Sequence, residues 1–243
     1  MYFSSEPKVP GTNSKLLSDT EKMPCCSWSL PARLACPDAV YGAGMICSGC
    51  YATKGRYRGT AVKSAQMRRF KWTVGLVRTK EGRQEWADTM IAAIQWATRK
   101  KEPIFRVHDS GDLFSVQYVQ AWLMVCRALP EITFWFPTRA YDHGQKHLNA
   151  VKTALILTLA ALPNVTMRPS ALGIGDLAPE VAGMAAGTTV AEVGYNCPAS
   201  NQGGKCLTCR TCFHAKTTPV TYHLIQERGR PRKAVRTLTV LAA

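Results

Sequence analysis

The sequence predicts an α/β protein, a partial β/α (TIM-like) barrel of parallel strands carrying a Cys-rich C-terminal extension. Three observations point there. From residue 103 onward, short apolar runs alternate with stretches of helical periodicity, the pattern of strands joined by right-handed helical crossovers in an open sheet or a barrel. Each apolar run ends in polar residues, as strands do at the functional edge of a parallel sheet. Seven of the ten cysteines fall into two sets near opposite ends of the chain.

The 243 residues are read as one domain, 1–243, because a chain of this length buries a full core without staples. Residues 1–22 are polar, with Pro7, Pro10 and Gly11, and predict an extended arm. Ser27–Pro31 predicts a short strand leading into the first cysteines. Phe70, Val74 and Val77, then Trp86, Met90 and Ile94, repeat at helical spacing and predict two helices broken near Gly82. Pro103–His108 predicts a strand ending in Asp109-Ser110-Gly111-Asp112, followed by a helix through Tyr118, Trp122 and Val125. Ile132–Phe136 predicts a strand ending in Pro137-Thr138-Arg139, with a helix over about 144–162 after it. Asn164–Met167 predicts another strand, ending in Arg168-Pro169-Ser170. Residues 193–243 form the Cys-rich and basic extension.

The first cysteine set is Cys36, Cys47 and Cys50; the second is Cys197, Cys206, Cys209 and Cys212. Cys-x2-Cys-x2-Cys places three thiolates of one tight turn around an iron-sulfur cube, and Cys197 supplies a fourth from a distance. Soft sulfur selects zinc, copper(I) and iron-sulfur clusters over hard cations. One or two [4Fe-4S] clusters are therefore expected, the first with an iron left open to a substrate or cofactor. Zinc is the alternative metal, with Cys47, Cys50, Cys206 and Cys209 closing one site and leaving Cys36, Cys197 and Cys212 idle. Cys25 and Cys26 are adjacent, which makes joint ligation of one metal awkward, and Cys126 sits among apolar residues as a core side chain. His214 could replace a cysteine as ligand. His108 has two readings, a ligand or proton shuttle and a hydrogen-bonded structural histidine.

Net charge is +15. Between Lys54 and Lys80 stand nine basic residues and no acidic one, and Arg228, Arg230, Arg232, Lys233 and Arg236 repeat the bias near the C-terminus. Such a field attracts polyanions, so nucleic acid is an expected partner through 54–80, and a reductant is the other. The longest apolar stretch, around Ala154 to Leu162, is too short to span a bilayer, and no membrane partner is expected. The N-terminus has no apolar run with a small-residue cleavage site, so a reducing cytoplasm is the expected compartment.

Several motifs together resemble the phage family called gene product eighty-eight: Asn13-Ser-Lys15, Ser29-Leu-Pro-Ala32, Cys36-Pro37, Cys47-x2-Cys50-Tyr-Ala-Thr-Lys-Gly55, Arg106-x-His108-x-Ser-Gly-Asp112, Phe134-Trp-Phe136 with Thr138-Arg139, and the last four cysteines. The resemblance runs over nearly the whole chain. It implies a phage or prophage origin, hence a host-cell cytoplasm, and an iron-sulfur protein. A more distant similarity is to radical S-adenosylmethionine enzymes. There, three cysteines after the first strand hold a cube whose open iron is chelated by the cofactor, and a Gly-Gly-Glu after the second strand binds the cofactor's amino group. By that resemblance Ser110, Gly111 and Asp112 are cofactor-binding, the C-terminal cysteines hold an auxiliary cluster, and S-adenosylmethionine is a cofactor. The spacing departs from the family's Cys-x3-Cys-x2-Cys, being Cys-x10-Cys-x2-Cys here, and Asp stands for Glu. The strand-end residues His108, Asp109, Arg139 and Arg168 are the candidate catalytic groups. The reading is a radical-SAM-like iron-sulfur enzyme; its rivals are a non-catalytic iron-sulfur or zinc protein that binds nucleic acid, and a redox sensor or electron carrier.

Overall fold

The structure, a computed structural model, describes residues 5–142, 144 and 149–224. The basic residues from Arg228 to Arg236 lie outside them. Strand β1 (Ser18–Asp19) pairs antiparallel with β2 (Cys26–Ser29), and β2, β3 (Ile104–Ser110), β4 (Thr133–Thr138) and β5 (Val165–Pro169) follow in parallel and in sequence order. A second parallel pair joins β6 (Thr188–Ala191) to β7 (Val220–His223). An isolated parallel bridge between Ser170 and Thr188 links the two pieces, so β6 comes after β5 as each earlier strand comes after its predecessor. Among the described residues the strands do not close into a barrel.

The helices are placed by their caps. Between β2 and β3 run α1 (Thr60–Leu76) and α2 (Lys80–Thr98), whose Thr79 side chain accepts the Gly82 amide at 3.0 Å. The break expected near Gly82 falls at residues 77–79. Gly82 lies inside α2 because a Cβ there would stand 2.1 Å from the Leu76 carbonyl oxygen. Ser115 caps α3 (Val116–Ala128), and Asn149 caps α4 (Ala150–Ala160), through bonds of 3.2 and 2.8 Å.

Strand alternation sorts the two faces. Phe105, Val107, Phe134, Phe136, Val165 and Met167 point to the helices and join Trp28, Trp86 and Trp122 in the main core. On the other face Ile104 and Trp135 pack with Cys25, Cys206, Cys212, Phe213 and Val220, so the C-terminal segment covers it. Thr166 donates to the Phe213 carbonyl there.

The expected N-terminal arm is instead part of the fold over its described residues. Val9, Leu16 and Leu17 are buried in the helix-side core. Arg69 holds this segment, donating to the carbonyls of Lys15 and Leu17 and to the Ser18 hydroxyl at 2.8–3.2 Å. Burial, then the neighbouring Arg68, lowers its pKa to about 10. One member of the 54–80 basic run is thus a structural clamp, whereas Arg56, Arg58, Lys63, Arg68, Lys71, Arg78 and Lys80 are exposed.

Candidate metal centre

Parallel strands bring their C-terminal ends to one rim, and polar side chains lace it together. After β2 the chain makes a tight turn through Ala35 and Cys36, and the Ala35 carbonyl accepts the Asp112 amide at 2.7 Å. Asp112, after β3, accepts from the Leu113 amide and Thr138 hydroxyl on Oδ1, at 2.7 and 2.6 Å, and from the Arg139 amide on Oδ2 at 2.8 Å. Arg139, after β4, donates from its guanidinium to the Ala171 carbonyl after β5 at 3.1–3.2 Å. Tyr141 donates to the Ser170 carbonyl at 2.7 Å.

The first cysteine set lies over this rim. Cys47 lies in a 3-10 turn (Ile46–Gly49) and Cys50 caps its C-terminal end. The loop before it pairs with the exit of β5: Met45 bridges Gly173, the Ile46 amide donates to the Leu172 carbonyl, and the Ile174 amide donates to the Gly44 carbonyl. Burial raises the Cys36 pKa to about 12, and Asp112 with the Cys50 and Cys47 thiols pushes the same way. Cys47 is raised by burial and opposed by Arg139. The Ala35 carbonyl on the Asp112 amide and the Asp112 carboxylate on the Arg139 amide bring the turn at Cys36, Asp112 and Arg139 side by side. A buried ion pair, Lys152 Nζ to Asp38 Oδ2 at 2.7 Å, ties the turn after Cys36 to α4.

The second set lies on the face away from the helices. Cys197, Cys206, Cys209 and Cys212 all line one cavity of about 200 Å³, with Met23, Phe213 and Val220 among its walls. Cys212 rides on α5 (Thr211–His214), and its sulfur is 3.4 Å from the Tyr222 hydroxyl; Cys209 sulfur is 3.4 Å from the Thr211 hydroxyl. The Cys206 amide is anchored on the Lys22 carbonyl at 2.7 Å. All ten cysteines are unbridged thiols. Among the described residues no three His, Cys, Asp or Glu side chains close on a position for a single metal ion.

Of the candidate catalytic residues, Asp109 and Arg139 stand at the rim. Asp109 pairs with Arg106 at 2.8 Å and accepts the Tyr57 hydroxyl, while its carbonyl accepts from Tyr51. His108 does not stand there. With φ at 66° its ring turns to the helix side, where Nε2 meets the Tyr118 hydroxyl at 2.9 Å and Trp122 and Phe136 enclose it. Burial, helped by Arg106, lowers its pKa to about 3. Arg168 is fully buried and spends its guanidinium on carbonyls of Ala186, Thr211, Cys212, Ala215 and Thr218. It holds α5, and with it Cys212. Of the candidate cofactor-binding residues, Ser110 is bonded to Ser29, Gln66 and the Leu30 carbonyl, and Gly111 packs against Leu30. Asp112 keeps one acceptor position on Oδ2 beyond its three protein donors.

Sequence reasoning passed over Arg106, Tyr51, Tyr57, Trp135, Tyr222 and the Asp38–Lys152 pair. Parity within β3 carried a signal for the first, since Arg106 lies between Phe105 and Val107 and so faces away from the helices. Its guanidinium sits 4.8 Å above the Trp135 ring and donates to the Tyr51 hydroxyl at 3.0 Å.

A family model described as Gene product 88 matches residues 5–196. That stretch includes the Cys36, Cys47 and Cys50 loop and ends one position before Cys197. The chain is 28% identical over 207 residues to the Gene 88 protein of Mycobacterium phage D29, covering 75% of this chain and 79% of that one. It is 32% identical over 119 residues to the Gene 88 protein of Mycobacterium phage L5, covering 46% of this chain and 48% of that one. No solved structure matches. No helix among the described residues is long and apolar enough to cross a membrane.

Proposed function

We propose, for a chain that belongs to the Gene product 88 family, an iron-sulfur enzyme whose open cluster at the strand-exit rim works on S-adenosylmethionine, on a partial β/α barrel continued through β6 and β7. The observation that carries the iron-sulfur reading is the cavity of about 200 Å³ that Cys197, Cys206, Cys209 and Cys212 all line. A cube places each thiolate on a separate iron and needs room for its core, whereas one zinc ion draws four sulfurs to within about 2.3 Å of itself. Beside this cavity the register sets Ser27, Arg106 and Trp135 in a row, and the Ser27 hydroxyl, Arg106 Nε and Trp135 Nε1 are buried with no hydrogen-bond partner among the described residues. Donors of this kind suit a sulfide-rich, negatively charged group.

Cys36, Cys47 and Cys50 would hold the first cluster, and its chemistry when loaded is one-electron cleavage of a bound sulfonium cofactor. The chain's own contribution is positional. Asp112 offers its remaining Oδ2 acceptor site to an amine beside the three thiols, Arg139 offers positive charge next to Cys47, and the 41–50 loop screens the rim from bulk water. His108 and Arg168 are positioning residues, one filling the aromatic core under β3 and the other clamping α5.

Iron, zinc and acid-labile sulfide analysis of anaerobically purified protein tests the reading. Iron with sulfide, and little zinc, is expected, together with a visible absorption band bleached by dithionite. Stoichiometric zinc without sulfide would overturn it. Adding S-adenosylmethionine should change the EPR spectrum of the reduced protein and release 5′-deoxyadenosine; an unchanged spectrum without that product would leave a redox or binding protein.

A further inference from the structure

The loop that carries the first cysteines also builds a surface that ligation does not need. Tyr41 and Tyr51 are 50% and 52% exposed, an unusual state for rings beside buried thiols. Tyr51 cannot fold inward to bury its ring, because its hydroxyl is held from beneath by Arg106 and the Asp109 carbonyl, and Tyr57 braces it edge-on at 5.7 Å. Arg33 covers the Tyr41 ring at 5.8 Å. Arg33, Arg56 and Arg58 are exposed on the segments that carry the two rings. The nearby carboxylates are engaged: Asp109 with Arg106, Asp112 within the rim, Asp176 on the Gly173 amide, and Glu21 in an exposed pair with Arg56, which contributes little.

Exposed rings among arginines are the parts of a stacking platform for single strands, in which each base has a π-face to offer and each phosphate a charge. We infer that this mouth binds single-stranded nucleic acid, with bases stacked on Tyr41 and Tyr51 and phosphates against Arg33, Arg56 and Arg58. Calling the strand a substrate rests on the proposed reaction at the same rim; binding itself does not. An acidic protein partner would read the charge but would be indifferent to the rings. A duplex keeps its bases inside the helix and would be indifferent likewise.

The test is fluorescence anisotropy with full-length protein of measured iron and sulfide content, using labelled oligothymidylate and oligouridylate of about 20 nucleotides and a duplex of equal length over a range of salt. Both single strands should bind more tightly than the duplex, and a difference between them would report the 2′-hydroxyl. Tyr41→Ser and Tyr51→Ser should each weaken binding about 5- to 100-fold, whereas Tyr41→Phe, which keeps the ring, should stay within about threefold. Arg56→Gln with Arg58→Gln should reduce the slope of log affinity against log salt by about 1.4. Arg78→Gln with Lys80→Gln, at the far end of α1 and the start of α2, should leave affinity for the short strand unchanged. Thermal melts accompany each variant, and Tyr41→Ser stands in should Tyr51→Ser unfold. Equal binding of duplex, or serine variants that bind like the parent while the arginine variant fails, would overturn the inference in favour of a diffuse polyanion or acidic-protein surface. Iron-loaded protein that binds no strand overturns this inference alone; anaerobically purified protein that holds stoichiometric zinc without sulfide and still binds the strand overturns the cluster reading alone.

Discussion

Gly111 sits at φ 92°, and a Cβ added to it would meet the Leu30 Cβ at 2.8 Å. Both the backbone conformation and the space exclude a side chain. Gly111→Ala should cost about 2 kcal/mol, lowering the melting temperature by roughly 4–8 °C, with rim residues Asp112 and Ala35 moved apart. An unchanged melting temperature would mean that β2 and β3 are less tightly apposed than the structure has them. His108 supplies a second prediction at this scale. Its folded-state pKa lies below the ordinary value of 6.5, at about 3, so the unfolded chain binds the extra proton first as pH falls. The stability it contributes is complete above about pH 6.5 and is lost towards pH 3, by at most about 1.4 kcal/mol per pH unit. Thermal melts between pH 6.5 and 4.5 should show a shallower slope for His108→Gln than for the parent; identical slopes would place the ring in solvent. Spacing could name His108 as a strand-end residue. It could not show the positive φ that swings the ring from the rim into the core, since that turn is set by packing against Tyr118, Trp122 and Phe136.

Elements here are fastened by buried polar groups that periodicity does not register. The Asp38–Lys152 pair joins the turn after Cys36 to α4, with side chains 1% and 3% exposed. Lys152→Met would strand a buried carboxylate and should cost about 3–5 kcal/mol, whereas Asp38→Asn combined with Lys152→Met should recover much of that loss. Urea unfolding of the three proteins checks it, and equal stability of single and double variants would show that the pair is not buried as a charge pair. Helices and the four parallel strands of the main sheet were legible because apolar spacing encodes them. The β1, β6 and β7 strands were not: at two to four residues they are too short for alternation to register, and the N-terminal segment owes its place to Arg69, a residue that charge alone assigned to a polyanion surface.

At the scale of the molecule, the two cysteine sets occupy different mechanical positions. One lies in a loop over the rim; the other stitches the C-terminal segment onto the open face of the sheet through Cys206 at Lys22, Arg168 at α5 and Phe213 against Trp135. A metal site absent from the unfolded chain lends its binding free energy to folding. Cys209→Ala should therefore lower thermal stability and yield together with iron content, while Cys50→Ala should remove rim chemistry and leave more of the fold intact. Iron analysis and melting temperatures of the two variants decide this. The reverse ranking of stability would exchange the two roles, and loss of all iron from either variant would mean one shared site. Cysteine spacing gave both sets as sets. Their separation onto a rim and an open face could be read only once the strands were in order.

The ten residues between Cys36 and Cys47 act as a gangway. They start beside the exit of β3, where the Ala35 carbonyl holds the Asp112 amide, and moor at 172–174 beyond β5, two strand positions away, or about 9–10 Å. Three intervening residues would make four Cα steps, at most about 13–14 Å, and cross that gap only as a taut strand; ten make eleven steps, about 36–40 Å, and leave slack for a turn at each end. The ten-residue spacing is thus the slack that lets the loop turn down onto both moorings, and shortening Pro37–Ile46 by deletion should unmoor Met45 from Gly173.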